Sequence, residues 1–172
     1  YTATYTGTAK QYTITFVTNG GPSVDDGSAA YNALITPPSE PVWDGVRFDG
    51  WFKDNQFNEE WNFASDVVTG DTVLFAKWVE TVTMDALGGS VSPESIDVIY
   101  GGLYGTLPIP EKDGNTFLGW YTSSGNSVDE MSLVSEFGDH TLSAEWQTWT
   151  YFITFETDGG FGVPEYYEVY HN

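Results

Sequence analysis

Cysteine is absent from this chain, basic residues number only five, and no apolar run approaches the length of a membrane span. Each absence excludes something. Without cysteine no disulfide can brace a small domain, although the compartment stays open because many extracellular prokaryotic proteins also lack it. Five Lys and Arg cannot neutralise a phosphate backbone, which argues against nucleic-acid binding. A spanning helix needs about 18 or more consecutive apolar residues, and none occurs. The two histidines, His140 and His171, have no cysteine or spaced partner to complete a metal site and are expected to be exposed. No Asp-x-Asp-x-Asp-Gly calcium loop and no Gly-x-Ser-x-Gly nucleophile elbow is found. No signal peptide is visible, but a segment beginning inside a repeat would not show one.

Acid and aromatic residues are what the chain has in excess. Twenty-five Asp and Glu give a formal net charge of −20. They are spread along the chain, which fits a solvated surface, and an extracellular or high-salt setting, better than an interaction tail. Aromatics make up 17% of the residues, with seven Trp. Each ring buries ~150–250 Å², so a few of them can build the core of a small cysteine-free unit.

The sequence also repeats itself. Asp44-Gly45-Val46-Arg47-Phe48-Asp49-Gly50-Trp51-Phe52 returns as Asp113-Gly114-Asn115-Thr116-Phe117-Leu118-Gly119-Trp120-Tyr121. Gly-Gly pairs recur at Gly20-Gly21, Gly88-Gly89 and Gly159-Gly160, and Ala3-Thr4-Tyr5 echoes Ala76-Lys77-Trp78 and Ala144-Glu145-Trp146. These echoes predict the end of a preceding repeat plus linker over 1–10, a first module over 12–79, a second over 80–149, and the start of a third over 150–172. Repetition turns apparent active-site residues into copied scaffold positions.

Within one module the patterns are those of strands. Tyr12, Ile14 and Phe16 share a face, and Val82-Thr83-Met84-Asp85-Ala86 and Tyr151-Phe152-Ile153-Thr154-Phe155 are the copies. Prolines 37, 38, 41, 108 and 110 limit any helix to about one turn. In the Gly-Trp strand strict alternation puts Phe48, Gly50 and Phe52 on one side and Trp51 on the other, and a glycine there suggests close packing against it. Leu74, Ala76 and Trp78 alternate inward in the closing strand. The fold class is mainly β, α+β at most, with each unit a small, mostly antiparallel four-stranded sheet. Short polar joints make these units beads on a semi-rigid string. The expected repeat core is Phe16, Phe48, Gly50, Trp51, Trp78, Met84, Phe117, Gly119, Trp120, Trp146 and Phe155.

Tyr-x-Ile-x-Phe, Asn-Gly-Gly, the spaced prolines, Asp-Gly-x-x-Phe-x-Gly-Trp-Phe and the closing Leu-Phe-Ala-Lys-Trp resemble the Listeria–Bacteroides repeat, the internalin-B-type B-repeat of large secreted surface proteins. Residues 12–79 carry the pattern fully. Residues 80–146 depart from it at Met84 and Glu145, and residues 151–172 match its opening third. The resemblance implies a β-grasp-like (ubiquitin-like) module on the cell surface and no catalytic residues.

The candidate chemistry is weighed against that scaffold. The pairs Asp25-Asp26, Glu59-Glu60 and Asp129-Glu130 do not recur between modules and read as solvated surface. Asp71 and Asp139 do recur, after glycine, where an aspartate favours a turn by accepting from nearby amides. Lys77 invites an isopeptide reading, which Glu145 at the matching place excludes as a repeated feature. Trp51 with Phe52, and Trp120 with Tyr121, read as core in preference to a sugar platform. The unrepeated Trp43 and Trp61, with Trp149 beside them, are the candidates for surface binding. No cofactor is expected beyond loose calcium on surface acids. The reading is a non-enzymatic stalk repeat that spaces a distal domain, with neighbouring repeats as its partners. The alternative is an adhesion module binding a host protein or glycan through exposed aromatics.

Overall fold

The computed structural model describes residues 9–155 and 166–170, and every regular element among them is a β-strand. The chain divides between Glu80 and Thr81 into two compact units.

In the first unit β1 (Gln11–Val17) pairs antiparallel with β2 (Gly27–Ala30). β4 (Thr72–Asp85) lies on the other side of β1, parallel to it, with Phe16 opposite Leu74. β3 (Arg47–Phe52) runs antiparallel along β4. The order is therefore β2-β1-β4-β3, with a parallel pair at the centre of an otherwise antiparallel set. Alternation in β1 and β4 buries Ile14, Phe16, Leu74, Ala76 and Trp78.

The second unit uses the last part of β4. Val82 to Asp85 pair parallel with β8 (His140–Thr148), so that Met84 faces Leu142 across the ladder. β5 (Ser95–Ile99) joins β4, β6 (Asn115–Tyr121) runs antiparallel to β8, and the two-residue β7 (Ser127–Val128) closes on β6. Val82, Met84, Val98, Trp120, Leu142 and Ala144 are buried in one cluster. β9 (Thr150–Thr154) and β10 (Tyr166–Tyr170) form a separate antiparallel pair whose residues are all exposed.

The Gly-Trp strand departs from strict alternation. Its register slips between Phe48 and Trp51, and again between Phe117 and Gly119. An extra residue in one strand shifts the phase of everything beyond it. Phe48 and Trp51 consequently meet at 5.5 Å between ring centroids, and Phe117 and Trp120 at 5.4 Å, where unbroken alternation would set them on opposite faces. The glycine before the tryptophan serves this bulge: Gly50 has φ +114° and Gly119 φ +152°, a backbone region that L side chains rarely adopt. In the first unit Phe16 meets Trp51 edge-on at 4.7 Å and Phe48 meets Trp78 at 5.3 Å, so four rings close the core. Each such pair contributes about 0.5–1.5 kcal/mol beyond its buried area.

Candidate functional site

The Gly-Gly corner is built the same way in both units. The strand enters it through a residue of positive φ, Asn19 or Leu87, and the first glycine follows suit at Gly20 and Gly88. The second glycine lies under the closing tryptophan. A Cβ on Gly21 would stand 2.4 Å from Trp78 Cζ2, and one on Gly89 would stand 2.9 Å from Trp146 Cζ2 and 2.6 Å from the Glu111 carbonyl oxygen. Each ring also holds the corner through its nitrogen. Trp78 Nε1 donates to the Thr18 carbonyl at 2.8 Å, and Trp146 Nε1 to the Ala86 carbonyl at 2.9 Å.

What covers that ring differs between the units. In the first, Trp43 packs edge-on against Trp78 at 5.3 Å. The residue at the same place in the motif of the second unit is Lys112. Its ammonium lies 5.7 Å from the centre of the Trp146 ring and donates to the Leu87 carbonyl at 2.9 Å. A lysine covers less of the ring than an indole does. Trp146 is half-buried where Trp78 is buried, and an open cleft of about 830 Å³ lies beside it, lined by Ser90, Lys112, Asp113, Asn115, Phe117 and Trp149 among others. Trp149 is 46% exposed, its backbone N–H donates to the Gly114 carbonyl at 2.8 Å, and its Nε1 donates to Thr116 Oγ1 at 2.9 Å.

Trp61, a surface-binding candidate in the sequence, is only 8% exposed and belongs to the core. Its backbone N–H donates to the Trp51 carbonyl at 2.7 Å. Lys53 lies over its ring at 5.6 Å and is paired with Glu59 and, at 3.0 Å, with Asp66. Trp43 is half-buried, packed edge-on against Trp78. Trp51 and Trp120 are buried as well. Phe155 is 45% exposed beside the β9–β10 pair, because a two-stranded pair has no second layer to bury it against. His171, Gly159-Gly160 and the echo at Ala3-Thr4-Tyr5 lie outside the described residues.

Asp71 and Asp139 reach much further than a turn. Asp71 Oδ1 accepts from the backbone N–H of Thr13 at 2.9 Å, and Asp139 Oδ1 from that of Thr81 at 2.7 Å, each 58 residues earlier in the chain. The carboxylate supplies one more rung at the end of the parallel ladder, where a strand amide has no carbonyl opposite it. Asp71→Ala and Asp139→Ala are each expected to cost about 1 kcal/mol, read as a lower urea midpoint at unchanged slope.

His140 is half-buried rather than exposed. Its Nδ1 sits 2.9 Å from the Gly138 carbonyl, which only accepts, so Nδ1 donates there, and Nε2 is hydrogen-bonded with the Tyr104 hydroxyl at 2.8 Å. Two aspartates are held below the usual carboxylate range. Asp66 accepts from the Asn62 backbone amide and pairs with Lys53, and Asp129 accepts from Ser132 Oγ and the Met131 amide. A depressed folded-state pKa gives stability that is present above the ordinary aspartate value, about 3.9, and is lost as pH falls through the folded value. Asp66→Asn and Asp129→Asn are expected to flatten stability below about pH 4, checked by urea midpoints from pH 2 to 5. Among the described residues no three His, Cys, Asp or Glu side chains are grouped to hold a metal ion, and no helix is long and apolar enough to cross a membrane.

The sequence motif of the Listeria-Bacteroides repeat domain matches this chain twice, over residues 12–77 and 81–145. Two proteins of Evansella cellulosilytica are similar to it. One, provisionally named a Gly-rich membrane protein, is 37% identical over 159 residues, covering 90% of this chain and 18% of its own length. The other, provisionally named a membrane protein, is 39% identical over 161 residues, covering 90% and 24%. Internalin H of Listeria monocytogenes is 31% identical over 121 residues, covering 67% and 22%. The chain thus spans a quarter or less of the length of these relatives.

Proposed function

The chain belongs to the Listeria-Bacteroides repeat family, and we propose that it is a non-enzymatic spacer segment of a large extracellular prokaryotic surface protein, its modules presenting a distal functional domain. One observation carries this reading. The features copied between the units are those that hold the fold: the glycine corner under a tryptophan, the bulged Gly-Trp strand and the long-range aspartate rung. The copied carboxylates Asp71 and Asp139 are themselves part of the scaffold, each accepting from a backbone N–H. The order β2-β1-β4-β3 around a central parallel pair supports a β-grasp-like module. The names of the relatives, membrane proteins and an internalin, support a place at the cell surface.

A spacer must be extended. Small-angle scattering of the 172-residue chain is expected to give a radius of gyration well above the ~16 Å of a compact domain of this length. A compact particle would remove the reading.

A further inference from the structure

We propose that the cleft beside Trp146 in the second unit is a binding site for a neutral saccharide, with Trp149 as its stacking face. This goes beyond the spacer role and does not depend on it. The cleft, about 830 Å³, lies within the range of small-ligand sites, roughly 300–1,000 Å³. Its open, largely polar lining suits a hydroxyl-rich ligand better than an apolar one.

Trp149 is the strongest element. A pyranose ring carries one face of C–H groups and a rim of hydroxyls, so it needs a flat apolar surface with hydrogen-bonding groups around it. Trp149 leaves 46% of its surface exposed, yet both its backbone and its indole nitrogen are tied down, to Gly114 and Thr116. A ring already fixed loses little conformational freedom when a ligand stacks on it. Around it, Asp113, Glu111 and Ser90 are exposed and can accept hydroxyl protons.

Charge selects the class of sugar. Lys112 is the sole Lys or Arg after Lys77. Its ammonium already serves the Leu87 carbonyl and the Trp146 ring, and Glu111 and Asp113 flank it. A sialylated, sulfated or phosphorylated ligand would meet carboxylates without a cation to receive it, in a chain of net charge −20. In the first unit Trp43 packs against the closing tryptophan at the matching place.

The test uses the whole chain. Neutral gluco-, galacto-, manno- and N-acetylglucosamine tetrasaccharides are titrated against it by tryptophan fluorescence and saturation-transfer NMR, beside sialylated and sulfated counterparts. At least one neutral oligosaccharide is expected to bind with Kd near or below about 1 mM. Trp149→Ala should weaken it about tenfold or more, Trp149→Phe by less than about threefold, and Trp43→Ala not at all. Should Trp149→Ala disturb the circular dichroism, Asp113→Ala decides instead. It removes an exposed carboxylate outside the core and is expected to weaken binding about threefold or more. The proposal is overturned if no neutral sugar binds up to about 10 mM. It is also overturned if the anionic sugars bind more tightly, or if the deciding variant binds as the parent does.

Discussion

Trp78→Ala is expected to lower the stability of the first unit by about 3–5 kcal/mol, the loss seen when a large buried aromatic is truncated. At ~0.05–0.15 kcal/mol per residue, a module of roughly 70 residues has only about 3.5–10 kcal/mol in all. The substitution therefore removes about a third or more of what holds the unit folded. Three contacts go at once: the edge-on meeting with Phe48 at 5.3 Å, the packing of Trp43 at 5.3 Å, and the bond from Nε1 to the Thr18 carbonyl at 2.8 Å. The ring also fills the space over Gly21, where a Cβ would stand 2.4 Å from Cζ2. Trp78→Phe keeps part of the volume and loses the nitrogen, so it should cost about 1–3 kcal/mol, near the penalty of an orphaned carbonyl plus a partial cavity. The corresponding Trp146→Ala should cost less than Trp78→Ala, because Trp146 is half-buried. Urea unfolding followed by far-UV circular dichroism gives the ranking, and equal costs for Trp78→Ala and Trp146→Ala would contradict the difference in burial.

Much of this arrangement is legible in the sequence, because it depends on period and on copying. Tyr12, Ile14 and Phe16 lie in β1, and Leu74, Ala76 and Trp78 in β4, as alternation places them. Of the four tryptophans that recur, Trp51, Trp78 and Trp120 are buried and Trp146 is half-buried. What escapes a reading by period is any place where the period breaks. A bulge inserts one residue, and every side chain beyond it changes face, which is why Phe48 and Trp51 meet. The glycine at Gly50 is the local signal, since a strand interior seldom tolerates one without a bulge.

Contacts across some 60 residues are a second kind of blind spot. Asp71 looks like a turn former because it follows glycine, and only the fold brings the Thr13 amide to it. A shorter contact is missed as well: Trp61 looks like a surface ring because it is not copied, yet it is buried, its backbone N–H bonded to the Trp51 carbonyl. The cleft has a sequence signal of its own. Within a motif otherwise copied around Asp-Gly, the residue just before it changes from Trp43 to Lys112. A change of cap at a repeated ring is where a new surface should be sought.

The Gly-Gly pair separates two reasons for keeping a glycine, and Gly21→Ala isolates one of them. Gly20 has φ +95°, so its substitution brings backbone strain whatever the space around it. Gly21 has an ordinary φ, and its constraint is the ring above it: a Cβ would sit 2.4 and 2.7 Å from two carbons of Trp78. Real carbons do not approach so closely, and the indole cannot rotate away while Phe48 and Trp43 pack on it and its nitrogen holds Thr18. Gly21→Ala should therefore cost about 1–3 kcal/mol, as forcing a methyl into a packed site does. Gly70 supplies the control, since a Cβ there meets nothing within 4 Å and its φ is also ordinary. Gly70→Ala is expected to be neutral or to stabilise by about 0.4–1 kcal/mol, because alanine restricts the unfolded chain. The double variant Gly21→Ala with Trp78→Phe tests the cause directly. If the clash is with the indole, the smaller ring relieves part of it, and the two costs add to less than their sum in a double-mutant cycle. Full additivity would place the requirement for glycine in the backbone at position 21 and not in the tryptophan that lies across it.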